Sequence, residues 1–72
     1  MSNSVYKFIE LVGTSPDSWE KAAANAVETA SRTLRDLRIA EIVELDMQIS
    51  NGKITAYRAK LKLSFKYEKE ED

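Results

Sequence analysis

Two carboxylates two residues apart, Glu44 and Asp46, and a row of cations at Arg58, Lys60, Lys62 and Lys66 are the groups in this sequence with the spacing for binding chemistry. On a strand, residues i and i+2 point to the same side, so each set presents its charges together. Glu44 and Asp46, with Glu41 nearby, offer hard oxygen ligands to calcium or magnesium. The same two carboxylates can instead pair with Lys60 and Arg58 across neighbouring strands, where the bases would compete with a cation. The basic row can bind phosphate groups or simply form a solvated face. Catalytic machinery is harder to find. The chain has no cysteine and no histidine, which removes thiolate chemistry, Cys-ligated zinc, and the commonest general base. No nucleophile–base pair or Gly-rich phosphate loop is present. Thr14, Ser15 and Ser18 read as turn and cap residues. The expectation is a protein that is not an enzyme. Trp19, the lone tryptophan, could stack on an aromatic ligand. Its place in a helical apolar stripe already accounts for it as cover for a sheet edge or a subunit contact.

The chain's size limits what can position these groups. Seventy-two residues make one small domain spanning 1–72, and a chain of that size buries only about 60% of its unfolded surface. Without disulfides, association with further copies is the expected support. The 11 basic and 12 acidic residues give a net charge of −1, which is not the footprint of a nucleic-acid binder. No run of 18 apolar residues and no signal-peptide pattern occurs. The expectation is therefore a soluble, cytoplasmic protein with neither membrane nor nucleic acid as partner.

The pattern predicts an α+β chain ordered strand, helix, strand, strand, with one helix lying on a sheet. The first strand, about 4–12, is apolar on both faces, as in a strand covered on both sides. Gly13-Thr14-Ser15-Pro16-Asp17 ends it. Ser15 before Pro16 reads as a helix cap, and Asp17 with Glu20 as an overlapping capping pair. The helix is predicted over about 18–36, with Trp19, Ala22, Ala23, Ala26, Val27, Ala30, Thr33, Leu34 and Leu37 in one stripe. Its alanines imply a close approach to the sheet. Strands follow at about 39–50 and 53–67, with an acidic tail at 68–72.

Asn51-Gly52 is the strongest hairpin signal. From Tyr57 to Tyr67 every odd position is apolar and every even one is Arg, Lys or Ser. A regular two-residue hairpin would set Leu45 against Arg58 and mix the two faces. One extra residue near Thr55 to Tyr57, a β-bulge, corrects the register. It pairs Met47 with Tyr57, Leu45 with Ala59 and Val43 with Leu61 on the dry face. On the wet face Asp46 then meets Arg58, and Glu44 meets Lys60. This alternation leaves Glu41 on the apolar face. A carboxylate there needs a partner, and Arg32, Arg35 and Arg38 are the candidates.

Tyr6-Lys7, Glu10-Leu11-Val12-Gly13-Thr14-Ser15, Ser18-Trp19-Glu20, Thr33-Leu34-Arg35 and Glu41-Ile42-Val43-Glu44, in this element order, resemble the dodecin family over about residues 5–67. The resemblance implies a three-stranded antiparallel sheet wrapped around one helix and twelve copies in a hollow shell, a homododecamer that stores or sequesters a small ligand, with FMN or riboflavin as the family default. Flavin-binding members place a tryptophan at the start of the second strand, matched here by Ile39. Their glutamine on the third strand matches Arg58, and an arginine used by some for a flavin phosphate matches Asp46. Lys66 belongs with these positions. Loss of a stacked ring removes about 1–3 kcal/mol, one to two decades in affinity. Flavin binding is thus expected to be weakened or lost. The segment Arg38 to Met47 looks more like a branch without the tryptophan, associated with calcium, for which Glu44 and Asp46 are the candidate ligands.

Overall fold

The computed structural model describes residues 5–67; the acidic tail expected at 68–72 lies outside them. Four elements follow one another: β1 (Tyr6–Ser15), α1 (Trp19–Ser31), β2 (Leu37–Ser50) and β3 (Lys53–Lys66). The strands form one sheet in the order β1-β3-β2, both outer strands antiparallel to the central β3. The expected α+β topology is the observed one.

The alternation of β3 decides where the helix lies. Ala59, Leu61 and Leu63 point to one face and are buried against Ala22, Ala26 and Ala30 of α1. Ile9 and Leu11 of β1 join this core, so α1 covers β1 and β3. The helix approaches closely because its contact residues are alanines and because Gly13 faces them. A Cβ at Gly13 would drive into the Ala22 carbonyl oxygen and sit 3.0 Å from the Ala26 Cβ. Gly13 therefore lies inside β1, which continues to Ser15 instead of stopping at residue 12.

The helix termini differ from the sequence expectation. Ser18, not Ser15, is the N-cap: its extended backbone lets Oγ accept from the Lys21 N–H at 3.0 Å. Ser15 is buried at the end of β1, and its Oγ accepts from the Asp17 N–H, a local turn of the kind serine favours. At the other end α1 stops at Ser31, short of residue 36. Arg32 and Thr33 donate to carbonyls three residues back, a tightened last turn. Asp36 then adopts a left-handed φ of 59° and redirects the chain into β2. Leu34 and Leu37 keep helical spacing yet reach the same core from the turn and the strand start.

The hairpin turns at Asn51 (φ 53°) and Gly52 (φ 73°), both left-handed as a type I′ turn requires. Gln48 pairs with Ala56 but Ile49 with Ile54, leaving Thr55 as the extra residue. The expected bulge is present, and the Thr55 hydroxyl donates to the Gln48 carbonyl at 3.2 Å. The pairs Met47–Tyr57, Asp46–Arg58, Leu45–Ala59 and Glu44–Lys60 all occur. Val43–Leu61 does not. A second shift makes Val43 an extra residue, so Ile42 pairs with Leu61. This reverses the faces of residues 39–42. Glu41 moves to the open face opposite Lys62, and needs no arginine from the helix end. A third irregularity falls between Leu37 and Ile39.

β1 is not covered on both sides within one chain. It is an outer strand, and Tyr6, Phe8 and Val12 are exposed.

Candidate functional site

Opposite the helix the sheet presents an open face, and strand register sets its side chains in rows. Thr14, Arg58 and Asp46 form one row; Val12, Lys60 and Glu44 the next. Glu10, Lys62 and Glu41 follow, then Phe8, Ser64 and Ile39. Lys66 lies opposite Tyr6 near the far end. Glu44 and Asp46 share a face by strand alternation, and the bulge at Val43 brings Glu41 onto the same face.

Arg58 grips Asp46 with both ends of its fork. Nε donates to Oδ1 at 2.7 Å and Nη2 to Oδ2 at 2.8 Å. Both side chains remain about two-fifths exposed. The Arg58 hydrogen bonds hold the Asp46 carboxyl below its ordinary value of 3.8, with the Arg58 charge adding to the effect. Lys60 Nζ reaches Glu44 Oε1 at 2.9 Å, and that hydrogen bond raises the Lys60 pKa above 10.5. Lys62 stands apart from these pairs, with Nζ 5.0 Å from the centre of the Phe8 ring. A shallow depression of about 350 Å³ lies beside Lys60 and Glu44, walled by Glu10, Val12 and Val43.

Behind this face, Trp19 fixes the backbone beneath Asp46. Its indole Nε1–H donates to the Asp46 carbonyl oxygen at 3.0 Å. Its ring meets Tyr57 edge-on, with centroids 5.0 Å apart and planes at 71°. Trp19 thus locks the start of α1 to the hairpin and does not reach the open face.

The structure therefore brings together Glu44, Asp46, Arg58 and Lys60. Ile39 is on the same face but three rows from Arg58, 62% exposed and opposite Ser64. Lys66 lies beyond it. Phe8 and Glu10 were missed as members of this face, although alternation along β1 with Val12 as a third marker could have revealed them. The carboxylates supply the right chemistry for a hard cation but few of them. Among the described residues no group of three or more His, Cys, Asp or Glu side chains converges. Two carboxylates fall short of the six to eight oxygens calcium takes, so an ion here would draw further ligands from water, backbone or a neighbouring copy.

A sequence model of the Dodecin family matches residues 5–68. The calcium dodecin of Mycobacterium tuberculosis is 56% identical over 64 residues, 88% of this chain and 89% of that protein. The solved dodecin of Streptomyces coelicolor superposes with a TM-score of 0.91 at 43% identity, covering 97% of this chain and all of the other. A second solved structure, of the M. tuberculosis calcium dodecin, is described as a calcium-chelating antigen with a calcium-binding site. It superposes with a TM-score of 0.81 at 48% identity over 96% of this chain and 99% of its own. With the strand order, the helix position and nearly the full described length in agreement, this chain belongs to the dodecin family.

Proposed function

We propose that this protein is a non-enzymatic, cytoplasmic dodecin that assembles into a hollow homododecamer and sequesters a small ligand or ion. Calcium is that ion, and Asp46 and Glu44 are its protein ligands. The observation carrying this reading is the pairing of two features on one face. Glu44 and Asp46 stand side by side on an outer strand, while the position of the family's stacking tryptophan holds the aliphatic Ile39. A bound calcium would supply a charge that draws the two carboxylates and any neighbouring oxygen donors to one centre. The 56% identity to a calcium dodecin supports the same choice. Flavin, the family default, loses at Ile39 a stacking contribution of about 1–3 kcal/mol per ring.

With two carboxylates already paired to bases, the affinity expected is that of weak calcium modules, a Kd of about 10⁻⁴–10⁻³ M. Calorimetric titration with calcium, alongside a riboflavin titration followed by fluorescence, tests the reading. Saturable calcium heat with no riboflavin quenching below about 10 μM supports it. Micromolar riboflavin quenching without calcium heat overturns it.

A further inference from the structure

We infer that Asn51-Gly52, at the tip of the β2–β3 hairpin, is a gated site of irreversible modification, inert while the turn is closed and cyclising when it opens. Glycine has no side chain to crowd its own backbone nitrogen, which leaves that nitrogen free to attack a preceding asparagine. The Gly52 nitrogen bonds to the Asn51 side-chain carbon Cγ and the Cγ–Nδ2 bond breaks. Ammonia leaves, taking up the proton that the Gly52 nitrogen gives up. Water then opens the cyclic imide at either carbonyl. One product is an aspartate at position 51. The other is an isoaspartate, whose main chain runs through the side chain and is one atom longer.

Both residues are exposed, and a Cβ at Gly52 would meet nothing within 4 Å, so no neighbouring group shields the nitrogen. Among the described residues the Asn51 amide has no hydrogen-bond partner. Asn25 is the contrast, since its Nδ2 donates to the Thr14 carbonyl at 2.9 Å and Ala26 follows it. The backbone supplies the gate. Asn51 (φ 53°) and Gly52 (φ 73°) hold a type I′ turn, whose first central residue has a ψ of about +30°. At that angle the Asn51 Cβ and the Gly52 nitrogen lie nearly opposite each other about the Cα–C bond, and the ring cannot close. Closure requires rotation out of the turn, which the pairs Ser50–Lys53 and Ile49–Ile54 resist. Those pairs are the last of the ladder, and Ile49 and Ile54 are 64% and 50% exposed, so little burial holds the tip shut. Once isoaspartate forms, the longer main chain no longer fits the two-residue turn. Further down, the Trp19 bond to the Asp46 carbonyl at 3.0 Å keeps the ladder in register, which confines the damage to the tip.

The test is peptide mapping by mass spectrometry of the full-length protein aged at mildly alkaline pH, folded and in guanidinium, with isoaspartate identified by enzymatic methylation. Modification at position 51 is expected to run at least about tenfold faster in the unfolded chain, the factor set by a tip-opening free energy of about 1.4 kcal/mol. Asn25 should lag behind it in both states. Ile54→Gly, which removes the cross-strand partner of Ile49, is expected to raise the folded rate toward the unfolded one. Hydrogen exchange at the tip amides of wild type gives the opening free energy independently of any variant, and should account for the ratio of the two rates. Equal rates in the folded and unfolded chains, or an opening free energy that does not match their ratio, overturn the gate. Absence of product at position 51 from the unfolded chain overturns the site itself.

Discussion

The contact between Asp46 and Arg58 shows how much one pair of side chains can carry in a chain without histidine or cysteine. It was legible in the sequence because charge and apolarity alternate strictly along β3, so only one register keeps bases opposite acids. The place of Glu41 was not legible. Ile42 and Val43 are both apolar, and a bulge between them leaves no mark on the alternation except Glu41 itself standing on the wrong face. The pair predicts a pH dependence whose sign follows from its direction. Asp46 has a folded pKa below 3.8 because Arg58 hydrogen-bonds its charged form. Its stabilising contribution is complete above the unfolded value and disappears as pH falls through the folded one. Lys60 runs the other way: its contribution holds below 10.5 and is lost as pH rises through its raised folded value. Thermal unfolding of wild type and Asp46→Asn should therefore differ at pH 7, and the difference should shrink as pH falls below 3.8 and vanish below the folded Asp46 value. A difference that persists unchanged at pH 2 would show that the ion pair is not its source.

Among the elements, helix and strands were predictable from period, while their ends were decided by local chemistry that period does not encode. Gly13 is the clearest case. In sequence it looked like part of a turn, because glycine followed by Thr-Ser-Pro commonly ends a strand. In the fold it sits within β1, where the absence of a side chain lets the Ala22 turn of α1 rest on the strand. Helix spacing foretold the close approach through its alanines, but only the packed pair of elements shows which residue receives it. Gly13→Ala inserts a methyl where the Ala22 carbonyl already lies, and neither partner is the flexible end of a side chain. The backbones must separate, at a cost of about 1–3 kcal/mol. Since that contact holds α1 to β1, the expected result is a lowered denaturation midpoint with unchanged helix content below it. Far-ultraviolet circular dichroism during chemical denaturation measures both. A midpoint equal to wild type would mean that α1 can lift without loss.

At the scale of the whole molecule, one copy leaves too much apolar surface uncovered for the amount it buries. Among the described residues six form its core, four of them alanines, whereas twelve large apolar side chains are exposed. The radius of gyration, 15.2 Å, exceeds the roughly 11 Å of a compact chain this long, as expected for a long ribbon with one helix on part of it. α1 covers β1 and β3, and the helix-side face of β2 is left open at Ile42, Leu45 and Met47. There a hollow of about 290 Å³ opens between the strand and the first turns of α1, lined by Trp19, Ala23, Ile42 and Leu45. The alternation of β2 announced an apolar face, but not that the chain's own helix would leave it bare. In an isolated chain Ile42, 46% exposed, would be an ordinary surface residue, and Ile42→Asp would change stability by less than about 0.5 kcal/mol. If neighbouring copies cover this face, the same substitution buries an unpaired carboxylate at each contact, and the assembly comes apart. Sizing by light scattering distinguishes these outcomes. Wild type is expected as a particle many times the 8.2 kDa chain, with a Tm that rises with protein concentration. Ile42→Asp is expected as small, poorly folded species with no such dependence. An Ile42→Asp particle of wild-type size and Tm would place the subunit contacts elsewhere and leave the β2 face open in the assembly.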